Sequence, residues 1–363
     1  MQNITPSRHE SIDGCGHRRL SRRACLLGAA LIGSMLAGIA GTSGAQAADK
    51  ITLMVGGLEK QIYLPAMLAQ QLGYFKEEGL DIELVSEPAG VDAENELLAG
   101  AVQGVVGFYD HSIDLQAKGK YVESIVQFSQ APGEVELVAT KEADQIKSAA
   151  DLKGKNLGVT GLGSSTNFIT QYLCVKAGLK VGEFTSIPVG AGNTFIAAMQ
   201  HGQIDAGMTT EPTVSRLLKT GEAKILIDMR TVEGTRQALG GTYPAASLYM
   251  QTSWVETHKG ETQKLANAFV KTLHFIATHS AEEIADKMPK DYYVGDKEGY
   301  VKALAGGKVM FTPDGVMPAD GPQTVLAVLK AFNKNLQDKQ IDLAKTFTTE
   351  YVSTAAKQVG SAQ

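Results

Sequence analysis

A glycine-rich turn followed by three hydroxyl side chains occupies residues 158–168, which read GVTGLGSSTNF. Neither common nucleotide-binding motif fits this stretch. A P-loop requires a lysine after its last glycine, whereas Gly163 is followed by Ser164. The dinucleotide fingerprint requires the spacing Gly-x-Gly-x-x-Gly, whereas the glycines here are spaced Gly-x-x-Gly-x-Gly. The turn therefore indicates a different kind of binding.

The same segment predicts a strand at 156–160, a turn, and a helix that begins near Ser164. The first N–H groups of a helix have no intrahelical partner, and the helix dipole attracts negative charge. Gly163 lets the backbone approach a ligand, while Ser164, Ser165 and Thr166 offer hydroxyl groups beside these amides. We expect an anionic group of a ligand to bind here. The alternative is a simple helix cap, which explains one hydroxyl but not three.

Short apolar runs alternate with helical patterns through the rest of the chain. This alternation predicts an α/β protein with largely parallel sheets. Long helices are expected at 260–279 and 322–337. The predicted strands cover residues 51–55, 81–85, 102–108, 122–128, 156–160, 184–189, 204–208, 224–227 and 243–249.

The chain also resembles itself. The stretch that begins at Leu97 aligns without gaps on the stretch that begins at Met199, an offset of 102 residues that pairs Gly100 with Gly202 and Gly119 with Gly221. Each half reads as helix, glycine stop, buried strand, loop, helix, glycine and strand. This repeat favours two equivalent lobes, whose strand ends and binding loops face each other across a cleft.

The lobes are expected to follow a leader. We predict an export signal peptide at 1–47, the first part of lobe one at 48–130, lobe two at 131–238, and a return to lobe one with the C-terminal helices at 239–363. The chain crosses between the lobes twice, near 129–133 and 239–244. Both crossings contain glycine and proline, which suits a hinge of few residues.

The predicted leader combines five arginines with an apolar segment at 24–40 and a small-x-small cleavage pattern that ends at Ala47. Arg22 and Arg23 directly precede the apolar core and resemble a twin-arginine signal. The general secretory route and an uncleaved membrane anchor are the alternatives, although the apolar segment is short for a span. We therefore expect the mature protein in the periplasm.

Charge and cysteine content narrow the class of protein further. The full chain of 363 residues has a net charge of −5, and loss of the leader leaves about −8. A negative balance argues against nucleic acid as a partner. Cys174 is the one cysteine beyond the leader, so no disulfide can form within the mature chain. Its apolar helical context favours a small buried side chain over a reactive thiol.

Three segments identify a family resemblance. QQLGYFKEEGLDIEL at 70–84, DLKGKNLGVTGLGSST at 151–166 and AMQHGQIDAGMTTEP at 198–212 resemble the solute-binding proteins of bacterial ABC importers. The similar branch is that for sulfonates, taurine, nitrate and thiamine-precursor pyrimidines. The resemblance implies a two-lobed type II periplasmic binding fold with two hinge crossings, which closes on its solute and delivers it to a membrane permease.

Carried over by position, the resemblance places the binding loops at 57–63, 109–111, 163–166, 190–194 and 210–212. Asp110 and Glu211 fall at neighbouring positions of the repeat, so each lobe can offer one carboxylate to a donor on the ligand. Asp110 can equally cap the helix that follows it. The expected ligand contacts are Lys60, Gln61, Tyr63, Tyr109, Asp110, His111, Gly163, Ser164, Ser165, Thr166, Asn193, Glu211 and Tyr243, with the three tyrosines as walls for an organic body.

The resemblance implies a binding protein and no enzyme, cofactor or metal. We expect a soluble monomer that captures a small anionic solute, with a pyrimidine thiamine precursor or an aromatic acid as alternatives. An enzyme of the same fold is a more remote alternative, because pyrimidine-synthesising relatives rely on clustered cysteines and histidines that are missing here. The histidines show no metal-ligand spacing, and His111 is the one histidine in a binding loop.

Overall fold

The computed structural model describes residues 50–293 and 295–361. The predicted export signal therefore lies outside the described residues. Ten strands form two five-stranded sheets in this part of the chain. The first sheet contains β1 (Lys50–Val55), β2 (Asp81–Ser86), β3 (Gly104–Phe108), β4 (Val122–Gln127) and β10 (Ala246–Gln251). The second contains β5 (Glu134–Ala139), β6 (Asn156–Val159), β7 (Thr185–Pro188), β8 (Ala206–Thr210) and β9 (Ala223–Asp228).

Helices cover both sheets, as the α/β prediction requires. Those up to the last strand are α1 (Leu64–Gln71), α2 (Tyr74–Glu77), α3 (Gly90–Leu98), α4 (Asp110–Ala117), α5 (Ser165–Lys176), α6 (Asn193–Gln200), α7 (Thr213–Lys219) and α8 (Val232–Leu239). Those after it are α9 (Thr252–Thr257), α10 (Lys259–Thr278), α11 (Ala281–Lys287), α12 (Lys297–Gly307), α13 (Gly321–Phe332), α14 (Lys334–Gln337) and α15 (Glu350–Ser361).

The two sheets repeat one topology, which confirms the internal repeat. Their strand orders are β2-β1-β3-β10-β4 and β7-β6-β8-β5-β9. β3 and β8 lie at the predicted offset of 102 residues. Gly100 and Gly202 have φ values of 75° and 70°, and Gly119 and Gly221 both have 73°. Glycine is favoured at these helix ends because it adopts a positive φ without steric cost.

Four of the five strands in each sheet run in the same direction, so the sheets are largely parallel as predicted, with one reversed strand in each. In each sheet the first three strands pair in parallel, while the fourth pairs antiparallel with both of its neighbours. These antiparallel strands, β10 and β5, are the first strands after each crossing between the sheets. A strand that enters from the other lobe arrives from the cleft edge, so it runs against its neighbours.

The chain passes between the sheets after β4 and again before β10, where the two crossings are predicted. β10 begins at Ala246, three residues later than expected, because Tyr243 and Pro244 still belong to the crossing segment. The predicted helix at 322–337 is divided at Asn333 into α13 and α14. α13 packs against both α4 and α5, so the C-terminal helices touch both halves.

Cys174 is fully buried in α5, and burial raises the pKa of its thiol. This environment agrees with the predicted inert side chain. Among the described residues, no helix combines the length and apolar character needed to cross a membrane.

Candidate ligand-binding cleft

A small polar cavity lies where the two sheets face each other. β1, β3, β6 and β8 point their carboxyl ends at it, and β5, which runs the other way, begins there. Its volume is about 20 Å³, which is room for about one water molecule. A larger solute can therefore enter only when the lobes separate. The lining residues are Lys60, Ile62, Tyr63, Gly90, Phe108, Glu134, Thr160, Ser164, Ser165, Thr166 and Thr210.

The three hydroxyls after the glycine turn form hydrogen bonds with groups outside α5 and therefore do more than cap that helix. Ser164 is the N-cap of α5 without a side-chain capping bond, and its Oγ accepts from the N–H of Val91 in α3 at 3.2 Å. Thr166 Oγ1 accepts from the N–H of Thr160 at 3.0 Å. Gly163 has a φ of 89°, a backbone conformation that favours glycine. The turn thus joins the two lobes through its side chains.

Asp110 is the first residue of α4, and its side chain makes no capping bond to that helix. Its carboxylate instead accepts from Ser165 Oγ and from the Tyr243 hydroxyl, both at 2.8 Å. Asp110 is fully buried. Burial raises the pKa of this carboxyl group, while the charge of His111 and the two hydrogen bonds oppose the rise. The capping alternative is therefore wrong, and Asp110 lies against the N-terminal turn of α5.

Lys60 and Glu134 bring opposite charges to the cavity from different lobes. The Lys60 ammonium donates to the carbonyl oxygens of Gly56 at 2.5 Å and Pro88 at 3.0 Å, and burial lowers its pKa. Glu134 is 2% exposed, and its Oε2 has no hydrogen-bond partner among the described residues. Burial raises the pKa of Glu134 well above its usual range, and the Asp110 charge adds to this rise.

His111 lies behind the cavity, beside a carboxylate of its own. Its Nδ1 is 2.5 Å from Glu94 Oε2, and both side chains are almost fully buried. Burial lowers the pKa of His111, but the charge and hydrogen bond of Glu94 and the charges of Asp110 and Asp114 together outweigh burial and raise the pKa to about 8. His111 therefore forms an internal ion pair and does not line the cavity.

Several other expected contacts have their polar groups occupied elsewhere. Gln61 Nε2 donates to the Tyr300 carbonyl oxygen at 3.2 Å. The Tyr109 hydroxyl bonds to Thr346, and its ring packs against Phe347. Asn193 Oδ1 accepts from Arg216 at 2.8 Å on the surface. Tyr109 does not line the cleft as expected, because its side chain packs against the C-terminal segment.

Glu211 also has partners of its own. It pairs with Arg230 at 2.9 Å and accepts from the N–H of Ser215 at 2.9 Å. The structure therefore brings together Lys60, Tyr63, Ser164, Ser165 and Thr166 in the cavity wall, with Asp110 and Tyr243 directly behind Ser165. Gln61, Tyr109, His111, Gly163, Asn193 and Glu211 are not in that wall.

The sequence reasoning missed Glu134. The signal for it was the segment GEVELVA, in which acidic and apolar residues alternate along a strand. Alternation normally places the polar side chains in solvent, whereas the structure buries both Glu134 and Glu136. Thr160 was also missed as a lining residue, since a threonine at a strand end carries no distinctive pattern, whereas Thr210 lies in the binding loop predicted at 210–212.

A larger groove of about 780 Å³ lies between α7 and α12. Four of its charged side chains are paired with one another: Lys219 lies 2.6 Å from Asp296, and Arg230 lies 2.6 Å from Asp228. We therefore place the candidate site in the small cavity, where a buried acceptor has no partner. Among the described residues, no group of histidine, cysteine, aspartate and glutamate side chains is arranged to hold a metal ion.

Two α/β lobes of equal topology, joined by two crossings and facing each other across a polar cavity, define a type II periplasmic binding fold. The chain belongs to the NMT1/THI5-like family, whose model matches residues 62–283. The structure therefore has the two-lobed fold that the sequence resemblance implies.

The chain is also similar to solved structures and to curated proteins. A structure from Bordetella bronchiseptica RB50 is 36% identical with a TM-score of 0.82, covering 86% of this chain and 98% of that one. The alkanesulfonate-binding protein SsuA from Xanthomonas axonopodis is 19% identical with a TM-score of 0.65, over 83% and 98% of the two chains, and shows the fold alone. A 4-amino-5-hydroxymethyl-2-methylpyrimidine phosphate synthase of Saccharomyces cerevisiae is 30% identical over 45% of this chain. The match spans 46% of that synthase, just under half of its length.

Proposed function

We propose that this protein is the extracytoplasmic solute-binding component of an ABC importer. It is exported to the periplasm, binds one small solute between its lobes as a soluble monomer, and delivers it to a membrane permease. The observation that carries the proposal is the cavity between the two lobes. The hydroxyls of Ser164 and Ser165 in the second lobe form hydrogen bonds with Val91 and Asp110 of the first lobe across this cavity. The sulfonate-binding neighbour of the same fold supports this class of function.

The solute is a small molecule with an anionic group, of the sulfonate, taurine or nitrate kind. Three features support an anion: the N-terminal turn of α5, the hydroxyl of Thr166, and the buried ammonium of Lys60. Helix N-termini and charged donors both stabilise a buried anion.

A pyrimidine thiamine precursor or an aromatic acid is the second candidate. Phe108 and Tyr63 supply two rings to the cavity wall, and aromatic side chains suit a flat organic body. The relatives named as pyrimidine phosphate synthases match just under half of their own length. The name of these relatives supports a pyrimidine as the solute. Unlike a synthase, however, this chain is proposed to release its solute unchanged.

Thermal unfolding with a panel of sulfonates, nitrate, aromatic acids and pyrimidines tests the proposal. A true solute at a hundred times its dissociation constant stabilises the protein by about 2.7 kcal/mol. Small-angle scattering on the same samples should show a radius of gyration that decreases as the solute closes the lobes. If no compound stabilises the protein, or if a stabilising compound is converted to product, the proposed function is wrong.

A further inference from the structure

We propose that Glu134 selects the solute by accepting a hydrogen bond or ion pair from a basic nitrogen on it, either an ammonium or a ring-amino N–H. The proposal rests on the proposed function, because it concerns the same cavity. It deepens that function by adding a second recognition group, opposite in charge to the anion-binding turn.

The register of the second sheet directs Glu134 into the cavity. Glu134 is the first residue of β5 and lies directly opposite Thr210 of β8 in the antiparallel pairing. Residues directly opposite each other in such a pair point to the same face of the sheet. Both line the cavity. The carboxylate is therefore fixed by a strand rather than by a mobile loop.

Glu134 has an acceptor that the rest of the protein leaves open. Its Oε2 is buried without a hydrogen-bond partner among the described residues. The neighbouring Asp110 differs, since both of its oxygens accept hydroxyl groups. The ammonium of Lys60 is directed to two backbone carbonyl oxygens rather than to Glu134. A buried polar atom of this kind is costly unless a partner arrives.

The charges around the cavity favour a nitrogen as that partner. Two carboxylates, Glu134 and Asp110, lie near one ammonium, Lys60. Without a cationic partner, burial keeps the proton on Glu134, because it raises the pKa of this carboxyl group well above its usual range. A cationic nitrogen on the solute favours the charged form of Glu134, because a buried charge is stable only when it is paired.

Matched pairs of compounds that differ by one amino group test this inference. Suitable pairs are taurine with ethanesulfonate, and 4-amino-5-hydroxymethyl-2-methylpyrimidine with its analogue that lacks the 4-amino group. Titration calorimetry should show that the amino member of at least one pair binds the wild-type protein about ten- to a hundred-fold more tightly. Glu134→Gln should abolish this preference, and Glu134→Asp should weaken it while keeping the charge.

Glu136→Gln is the matched control. Glu136 lies two residues further along the same strand, is equally buried and likewise has one oxygen, Oε1, without a hydrogen-bond partner among the described residues, but its Oε2 accepts from Thr170 and it does not line the cavity. This variant should keep the preference for the amino compound. Thermal unfolding of each variant shows that it is folded.

The outcomes separate the two proposals. Equal or tighter binding of the compounds without nitrogen overturns the role of Glu134 and leaves the proposed function standing. An amino preference that survives in Glu134→Gln has the same meaning. If neither member of either pair binds the wild-type protein, the nitrogen inference is overturned together with the solute classes of the proposed function.

Discussion

Glu134 and Glu211 lie at the same end of the β5–β8 strand pair, but their carboxyl groups have different partners. Glu134 faces Thr210 across the β5–β8 ladder, and Glu211 is the next residue after Thr210. Both are almost fully buried. Glu211 has an arginine and a backbone N–H as partners, whereas Glu134 has an oxygen with none among the described residues.

The difference shows how a buried carboxylate can be assigned to structure or to binding. A carboxylate with its own cation holds the fold together and has little left to offer a ligand. One that is buried without a counter-ion costs stability. β5 carries two buried carboxyl groups that each have an oxygen without a hydrogen-bond partner among the described residues, and one of them, Glu134, lies in the cavity wall.

The largest expected effect is a loss of stability at alkaline pH caused by the uncompensated β5 carboxylates. Burial raises the pKa of Glu136 to about 8, although its hydrogen bond from Thr170 opposes the rise. Between pH 4.5 and 8 the unfolded chain has lost this proton and the folded protein keeps it, so stability decreases as the pH rises. We expect a loss of about 3 kcal/mol from Glu136 between pH 5.5 and 8.5.

His111 acts in the same direction. Burial lowers its pKa, but Glu94, Asp110 and Asp114 together outweigh burial and raise the pKa to about 8 in the folded protein. Its contribution is complete below pH 6.5 and is lost as the pH rises through 8. Urea unfolding across this range should show that the free energy of unfolding decreases as the pH rises. In Glu136→Gln the decrease should be smaller by the contribution of Glu136. An equally steep decrease in Glu136→Gln would contradict the assignment.

Glu211 is the buried carboxylate that has a counter-ion, Arg230. Arg230→Met should destabilise the protein by about 2 kcal/mol, because Glu211 loses its cation while it remains buried. Adding Glu211→Gln to this variant should restore part of the loss. Lys219→Met removes a cation from an exposed pair with Asp296 and should change the urea midpoint little. Equal effects of the two single substitutions would show that the buried pair is not special.

The smallest effect tests Asp110, which is buried like Glu134 but accepts two hydroxyl groups. Ser165→Ala should lower the free energy of unfolding by about 1 kcal/mol, because one hydrogen bond to a buried carboxylate is lost. Thr257→Ala removes an exposed hydroxyl of α9 and serves as the control. A Ser165→Ala variant as stable as the wild type would indicate that Asp110 does not depend on that bond.

Much of the fold follows from local patterns. The alternation of strands and helices, the repeat at 102 residues and the two crossings are all visible in the sequence, because hydrophobic periodicity and helix-ending glycines are local properties. The sequence did not reveal the antiparallel β5 and β10. Their direction depends on where the chain re-enters each sheet, and this is decided by contacts between distant residues.

For the candidate site too, some features follow from the sequence and others from contacts between distant residues. The sequence alone determined that a glycine turn and three hydroxyls open a helix at Ser164, since composition and spacing are sufficient for that. Only the tertiary structure decided that Glu211 pairs with Arg230 and that Glu134 keeps a buried oxygen without a hydrogen-bond partner among the described residues. Two glutamates of one sequence look alike, and what separates them is the partner that the folded chain places beside each one.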